Sequence, residues 1–209
     1  MMKLTEEAQQ ARRQAEKKQD KQAVLLRAAK LPGSDRWLWL GNLPAAQDGA
    51  LLLQSGITST LNLAVNLHPT ALTLADGTTV RRTQVGLIDG AGNNANHLLA
   101  GVLALDGMVH QESPGKPSYP LHRCGDILVH CRGGRSRSVA VLALYLTFTQ
   151  PAKYPDVTAA LAHLRQLRGT DEAHPCQPLM TLINQVAEMP IRDYLFAASR
   201  SVQTVSEGS

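Results

Sequence analysis

Along residues 31–190, short apolar runs of strand length alternate with longer helix-like stretches. This alternation predicts an α/β domain with a central, mainly parallel sheet flanked by helices. Late in the chain, a glycine-rich loop stands between an apolar strand and an apolar helix, as expected at the carboxyl end of a central strand in such a sheet. With 209 residues and 44% hydrophobic content, the chain can build one ordinary core and still leave tails.

Residues 1–30 are rich in Ala, Gln, Lys, Arg and Glu and show little apolar stripe before Val24-Leu25-Leu26. They are expected to be a basic extension, either a solvated helix or partly disordered. Leu31-Pro32-Gly33-Ser34 punctuates its end. A strand follows at Trp37–Leu40, whose two tryptophans alternate with leucines and look like packing residues; then come a helix near Ala45–Gln54 and a strand at Thr58–Leu63. After a turn-rich excursion through Asp76-Gly77, a strand is expected at about Thr79–Ile88, then a helix from Ala95 to His110 capped by Asn94 or Asn96. Residues 113–120 hold three prolines and a glycine and read as a loop. The strand Ile127–Val129 leads into the glycine-rich loop, and a helix runs from Arg137 to about Thr149. Asp156 caps a further helix reaching Leu167, with Gly169 past its end, and a last helix spans about Leu179–Glu188. Residues 191–209 are expected to form a mobile tail.

Residues 1–30 contain eight Lys/Arg and four Asp/Glu; removing these from totals of 21 and 17 leaves thirteen of each sign in 31–209. The formal charge of +4 therefore resides in the extension, and a neutral domain argues against nucleic acid as a partner. The longest apolar run, Val139 to Leu146, has eight residues, far short of a membrane span. No apolar segment of secretory type follows Met1-Met2-Lys3. Three cysteines without a C-x-x-C pair suggest neither a disulfide framework nor a zinc site, so a reducing compartment, the cytoplasm, is expected. Oligomeric state is not legible.

The run Val129-His130-Cys131-Arg132-Gly133-Gly134-Arg135-Ser136-Arg137-Ser138 places a cysteine and an arginine six positions apart across the loop. Such a loop can turn its backbone N–H groups inward onto one anion, with the helix N-terminus behind them. Arg137 can offer a planar fork to two phosphate oxygens, and Cys131 at the bottom of a positive cup is favoured as thiolate. A thiolate facing a bound phosphate is a nucleophile facing phosphorus, so the loop reads as that of a phosphate-ester hydrolase using no metal or other cofactor. Such chemistry also needs a proton for the departing oxygen. Asp89, at a strand end before Gly90-Ala91-Gly92, is the best candidate; Asp106 on a helix and Asp126 at the start of the strand behind the loop are weaker.

The string H-C-x5-R-S resembles the signature of cysteine-dependent protein tyrosine phosphatases. Leu40-Gly41-Asn42, Ala46-Gln47-Asp48, Gly56-Ile57-Thr58, Leu61-Asn62, the segment Leu161 to Arg168 and Pro175 narrow the resemblance to the small, atypical branch of the dual-specificity phosphatases, over roughly residues 35 to 188. The resemblance implies a protein tyrosine phosphatase-like fold and a catalytic domain over 31–190. It also implies Cys131 as nucleophile, Arg137 and the loop residues Arg132, Gly133, Gly134, Arg135 and Ser136 as the phosphate site, and Asp89 as general acid. His130 would support the loop rather than act as base, and the Ser138 hydroxyl would assist breakdown of a phosphocysteine. The 42 residues from Asp89 to Cys131 exceed the family's usual spacing of about thirty, with 113–124 as an insertion. Cys176 stands where the family reads Asn, and a regulatory disulfide with Cys131 is one reading of it.

The expected substrate is a phosphorylated protein, at tyrosine and at serine or threonine. Arg132 and Arg135 raise the alternative of an inositol phosphate or phosphoinositide, since basic residues at these positions mark phosphoinositide and inositol-pyrophosphate phosphatases. A rival of another class is a catalytically weak module that only binds phosphate.

Overall fold

The computed structural model describes residues 6–112 and 115–195. A five-stranded sheet is built from β1 (Leu25–Lys30), β2 (Trp37–Gly41), β3 (Ile57–Ala64), β4 (Arg81–Leu87) and β5 (Asp126–His130), in the order β1-β2-β5-β3-β4. Only β1 is antiparallel to its neighbour; β2, β5, β3 and β4 run parallel. The central strand β5 is hence paired on both edges, and its five residues alternate between two cores. Ile127 and Val129 face the larger core with Leu38, Leu40, Leu61 and Leu63, where α4 (Ala95–His110), α5 (Arg137–Thr149), α6 (Val157–Arg168) and α7 (Gln177–Ala187) pack. Leu128 faces the smaller core with Trp39, Ile57 and Val80, covered by α2 (Leu43–Gln47) and α3 (Gly49–Gln54).

Helix α5 is buried from Arg137 to Leu146 without interruption, as expected of a helix apolar on all sides that runs through the middle of a domain. Local signals set the ends of its neighbours. Asn94 caps α4 by accepting from the His97 N–H at 3.1 Å; Asp156 caps α6 through the Ala159 N–H at 2.8 Å, and Gly169 ends that helix at φ 67°. The single helix expected at 45–54 is two. Asp48 accepts from the Leu51 N–H at 2.9 Å and so starts a new helix where the first stops.

Two boundaries differ from the pattern in the sequence. A helix α1 (Glu6–Gln19) does form in the extension, but Leu25–Lys30 belongs to the sheet. Ala28 and Ala29 are buried, and the Arg27 guanidinium lies over the Trp37 and Trp39 rings at 5.2 and 5.1 Å. At the other end, the chain past 190 starts by packing rather than leaving, since Leu195 is buried in the larger core. The rest of the expected tail, 196–209, and Ser113-Pro114 of the loop lie outside the described residues. No helix among the described residues is long and apolar enough to cross a membrane.

Candidate active site

The carboxyl ends of β2, β3, β4 and β5 open on the same side of the sheet, and the loop 131–136 leaves β5 there to enter α5. Its shape needs Gly134, while at Gly133 a side chain would press only on the ends of the Arg135 and Asp20 side chains. Gly134 has φ 67°, and a Cβ on it would sit 2.6 Å from the Gly41 carbonyl oxygen; one on Gly133 would meet Asp20 at 2.8 Å. The loop is anchored at its edges, where the Leu43 N–H donates to the Arg132 carbonyl at 3.1 Å and Arg168 Nη2 donates to the Gly133 carbonyl at 3.1 Å. Among the described residues, the N–H groups of 132–136 find no acceptor. A row of such donors at a helix start is an anion cradle.

Cys131 lies at the floor, 3% exposed, with Sγ 3.4 Å from Ser138 Oγ. Burial, the largest influence, opposes its charged form. The Arg137 charge, the Ser138 hydroxyl and the Ser138 N–H outweigh it, and the thiol lies below its ordinary value. Arg137, 2% exposed, donates to the Leu87 carbonyl at 3.3 Å and to Asp89 Oδ2 at 3.4 Å, and its buried Nε has no partner among the described residues. Both bonds are long, so the guanidinium is positioned but not saturated. Asp89 follows β4, and its side chain is 57% exposed beside Arg137. The structure thus brings Cys131, Arg137, Ser138 and Asp89 together despite the long spacing in sequence, and the described residues between α4 and β5, 111–112 and 115–125, form no helix or strand.

The remaining candidates divide. His130 is fully buried, its Nδ1 3.4 Å from the Cys131 carbonyl oxygen and its Nε2 without a partner among the described residues. Burial first, then the Arg82 charge, push its pKa down to about 4, so it stays neutral beneath the loop. Arg132 is exposed at the rim. Arg135 departs from its expected place in substrate binding. It is 7% exposed and turned away to α1, where Nη1 pairs with Asp20 and Nη2 donates to Gln19 Oε1 at 3.1 Å. Ser136 Oγ is 3.1 Å from His174 Nδ1 rather than exposed to a ligand. Cys176 caps α7 and senses the Asp89 and Arg137 charges; burial raises its pKa, the reverse of Cys131. The two sulfurs are not bonded to each other.

The weaker acids have structural partners elsewhere. Asp126 accepts from the Trp37 N–H at 2.9 Å and Trp39 Nε1–H at 2.8 Å, and Asp106 is buried beside His110 and Tyr145. The residues that sequence reasoning missed are Glu16, Asp20, Arg168 and His174, all of which reach the loop or its side chains from far along the chain. For Glu16 and Asp20 the only local signal was negative charge in or beside a basic helix, which reads equally as i,i+4 pairing on a solvated face.

No family model and no curated protein sequence matches the chain. Solved structures do. The chain is similar to human DUSP28 with 24% identity, covering 78% of this chain and 93% of that one at a TM-score of 0.57. It is similar to the Yvh1 phosphatase domain of Chaetomium thermophilum with 24% identity, covering 78% and 94% at a TM-score of 0.56. It is also similar to the human tyrosine phosphatase-like serine/threonine/tyrosine-interacting protein with 21% identity, covering 77% and 93% at a TM-score of 0.53. At these identities the likeness is one of fold, and the fold is that of the dual-specificity phosphatases.

Proposed function

We propose that this protein is a phosphatase that cleaves phosphate monoesters through a cysteinyl-phosphate intermediate, acting on phosphotyrosine and phosphoserine or phosphothreonine of proteins. The observation that carries this reading is a buried thiol of lowered pKa at the floor of a loop whose N–H groups at 132–136 have no acceptor among the described residues, with Arg137 beside it. In the first step the Cys131 thiolate attacks phosphorus, the ester P–O bond breaks, and Asp89 gives its proton to the departing oxygen. In the second, water attacks phosphorus, Asp89 takes the water's proton, and the S–P bond breaks to return thiolate and inorganic phosphate. Arg137 and the loop N–H groups meet the charge on the equatorial oxygens in both steps, and they are in place beforehand. The Ser138 hydroxyl, 3.4 Å from Sγ, favours the thiolate as leaving group in the second step.

Protein substrates are supported over inositol phosphates by Arg135. With its charge committed to Asp20, only Arg132 of the two variable loop arginines faces solvent.

Hydrolysis of a small aryl phosphate by purified, reduced protein tests the reading. Wild type should turn over, Cys131→Ser should fall to background, and Asp89→Asn should lose roughly 10²- to 10⁴-fold. A wild type that binds tungstate without turning over any aryl phosphate would overturn the enzyme reading in favour of a phosphate-binding module. Competing phosphopeptide and inositol-phosphate panels then decide the substrate class.

A further inference from the structure

Composition separates the N-terminal helix from the domain, yet α1 reaches the phosphate loop by two polar routes. In the first, Asp20, just past the helix end, pairs with Arg135 Nη1, while Arg135 Nη2 donates to Gln19 Oε1 at 3.1 Å. The pair is sheltered, with side chains 8% and 20% exposed. In the second, Glu16 Oε1 and His174 Nε2 are 2.9 Å apart, and His174 Nδ1 is 3.1 Å from Ser136 Oγ. A carboxylate accepts only, so His174 carries a proton on Nε2 toward Glu16, and its Nδ1 is hydrogen-bonded to the Ser136 hydroxyl. Burial works to raise the Glu16 pKa, but hydrogen bonds from His174 and Arg12 outweigh it and lower it, so the carboxylate is charged at neutral pH. The helix itself is clamped by Arg12, whose Nη1 and Nη2 meet the two Asp171 oxygens at 2.9 and 2.7 Å.

The loop depends on such outside support. Gly133-Gly134 gives it wide conformational freedom, and the N–H groups of 132–136 donate to no acceptor among the described residues. Among the described residues, its backbone is held through the Cys131, Arg132, Gly133 and Ser136 carbonyls, and the side chains between Arg132 and Arg137 that fix it are Arg135 and Ser136, both of which lead to α1. We infer that Glu16 and Asp20 are positioning residues of the site: acting through His174 and Arg135, they hold the phosphate loop in the shape that presents its N–H groups to an anion. This rests on the loop being the anion cup of the proposed function. It makes α1 part of the site, with no contact to substrate required.

The test uses the full chain and inorganic tungstate as probe, with calorimetric affinity, kcat and KM on an aryl phosphate, and melting curves for each variant. Asp20→Asn should weaken tungstate binding at least about tenfold and lower kcat/KM by a similar factor, as small misplacements of a cradle do, while still melting cooperatively. Asp20→Glu should regain most of the loss. Asp20→Asn combined with Arg135→Gln should lose no more than Asp20→Asn alone, because the two side chains act as a unit. Glu16→Gln, which leaves no loop arginine unpaired, decides the matter if Asp20→Asn does not fold. Tungstate affinities of Asp20→Asn and Glu16→Gln within twofold of wild type would overturn the inference and leave α1 as packing only. Wild type that binds tungstate without turnover removes the enzyme reading, yet the variant affinities still decide this one. Wild type that does not bind tungstate removes both.

Discussion

Acidification should unfold this protein partly through His130, and the size of that effect separates a supporting histidine from a base. In the folded state the imidazole is fully buried, its Nδ1–H faces the Cys131 carbonyl at 3.4 Å, and Nε2, the position a second proton would take, has no acceptor among the described residues. Burial and the nearby Arg82 lower its pKa from 6.5 to about 4. The unfolded chain therefore binds a proton that the fold refuses. As pH falls below about 6.5, each unit removes about 1.4 kcal/mol from the stability of the fold until the folded pKa is reached. Above 6.5 both states are neutral and His130 contributes no pH dependence. Across an interval of about 2.5 units, the loss sums to about 3 kcal/mol, a large part of the stability of an ordinary domain. Urea unfolding of wild type and His130→Gln between pH 7.5 and 4.5 reads this directly, because the carboxylates and other histidines are common to both proteins and drop out of the difference. The wild-type midpoint should fall more steeply with acid than that of the variant, starting near pH 6.5. Parallel curves would refute the reasoning, and would mean that His130 takes up a proton in the fold as a base does.

Three further outcomes follow from named contacts. Alkylation of Cys131 by iodoacetamide, resolved by mass spectrometry from Cys124 and Cys176, should reach half its maximal rate below pH 9.0, and Ser138→Ala should move that midpoint upward; superimposed wild-type and variant profiles would show that Ser138 does not favour the thiolate. Gly134→Ala combines φ 67° with a Cβ 2.6 Å from the Gly41 carbonyl oxygen, so it should destabilise by about 1–3 kcal/mol and abolish tungstate binding, and a neutral urea curve would contradict the loop geometry. Asp126→Ala leaves the Trp37 N–H and the Trp39 Nε1–H without their acceptor, and should cost about 1–3 kcal/mol in urea unfolding while aryl-phosphate turnover in the folded protein stays within twofold; a larger loss of turnover would bring Asp126 back as the acid.

What the sequence showed well was determined locally. The strand β5, the loop and α5 are consecutive, so an apolar run, two glycines and a second apolar run suffice to place Cys131 at a sheet's carboxyl end. The caps at Asn94, Asp156 and Gly169 are likewise decided within three or four residues. The strand β1 escaped because Leu25–Lys30 mixes two charges with four apolar residues, and its partner is needed to see which face is covered. The loop's dependence on α1 escaped for a stronger reason. Asp20 is 115 residues from Arg135, and Glu16 is 158 from His174, and no periodicity within α1 marks which of its charges has a distant partner. Arg132 and Arg135 look equivalent in the sequence because both are basic residues in one loop; only the position of α1 makes one of them exposed and the other 7% exposed.

That asymmetry bears on how the proposed cycle handles charge. Three arginines converge on the loop, and each is held differently. Arg135 is locked by a sheltered carboxylate, and an incoming anion would have to displace Asp20 from a site where its side chain is only 20% exposed. Arg168 is turned to the Gly133 carbonyl, and burial lowers its pKa, so its charge serves the loop's backbone. Arg137 alone among the three has its carboxylate, Asp89, in water: the side chain is 57% exposed and the contact 3.4 Å long. An ion pair this long, with its carboxylate in water, exchanges more readily than a sheltered one. In the proposed cycle a phosphoryl group takes the place of Asp89 on the Arg137 fork, a bidentate exchange favoured by the Nε, which has no partner among the described residues. Asp89, released at the mouth of the cup and no longer held as a carboxylate by Arg137, takes a proton from solvent and is then beside the oxygen that must leave. Binding the substrate and freeing its acid become one event, which the buried pair at Arg135 could not have provided.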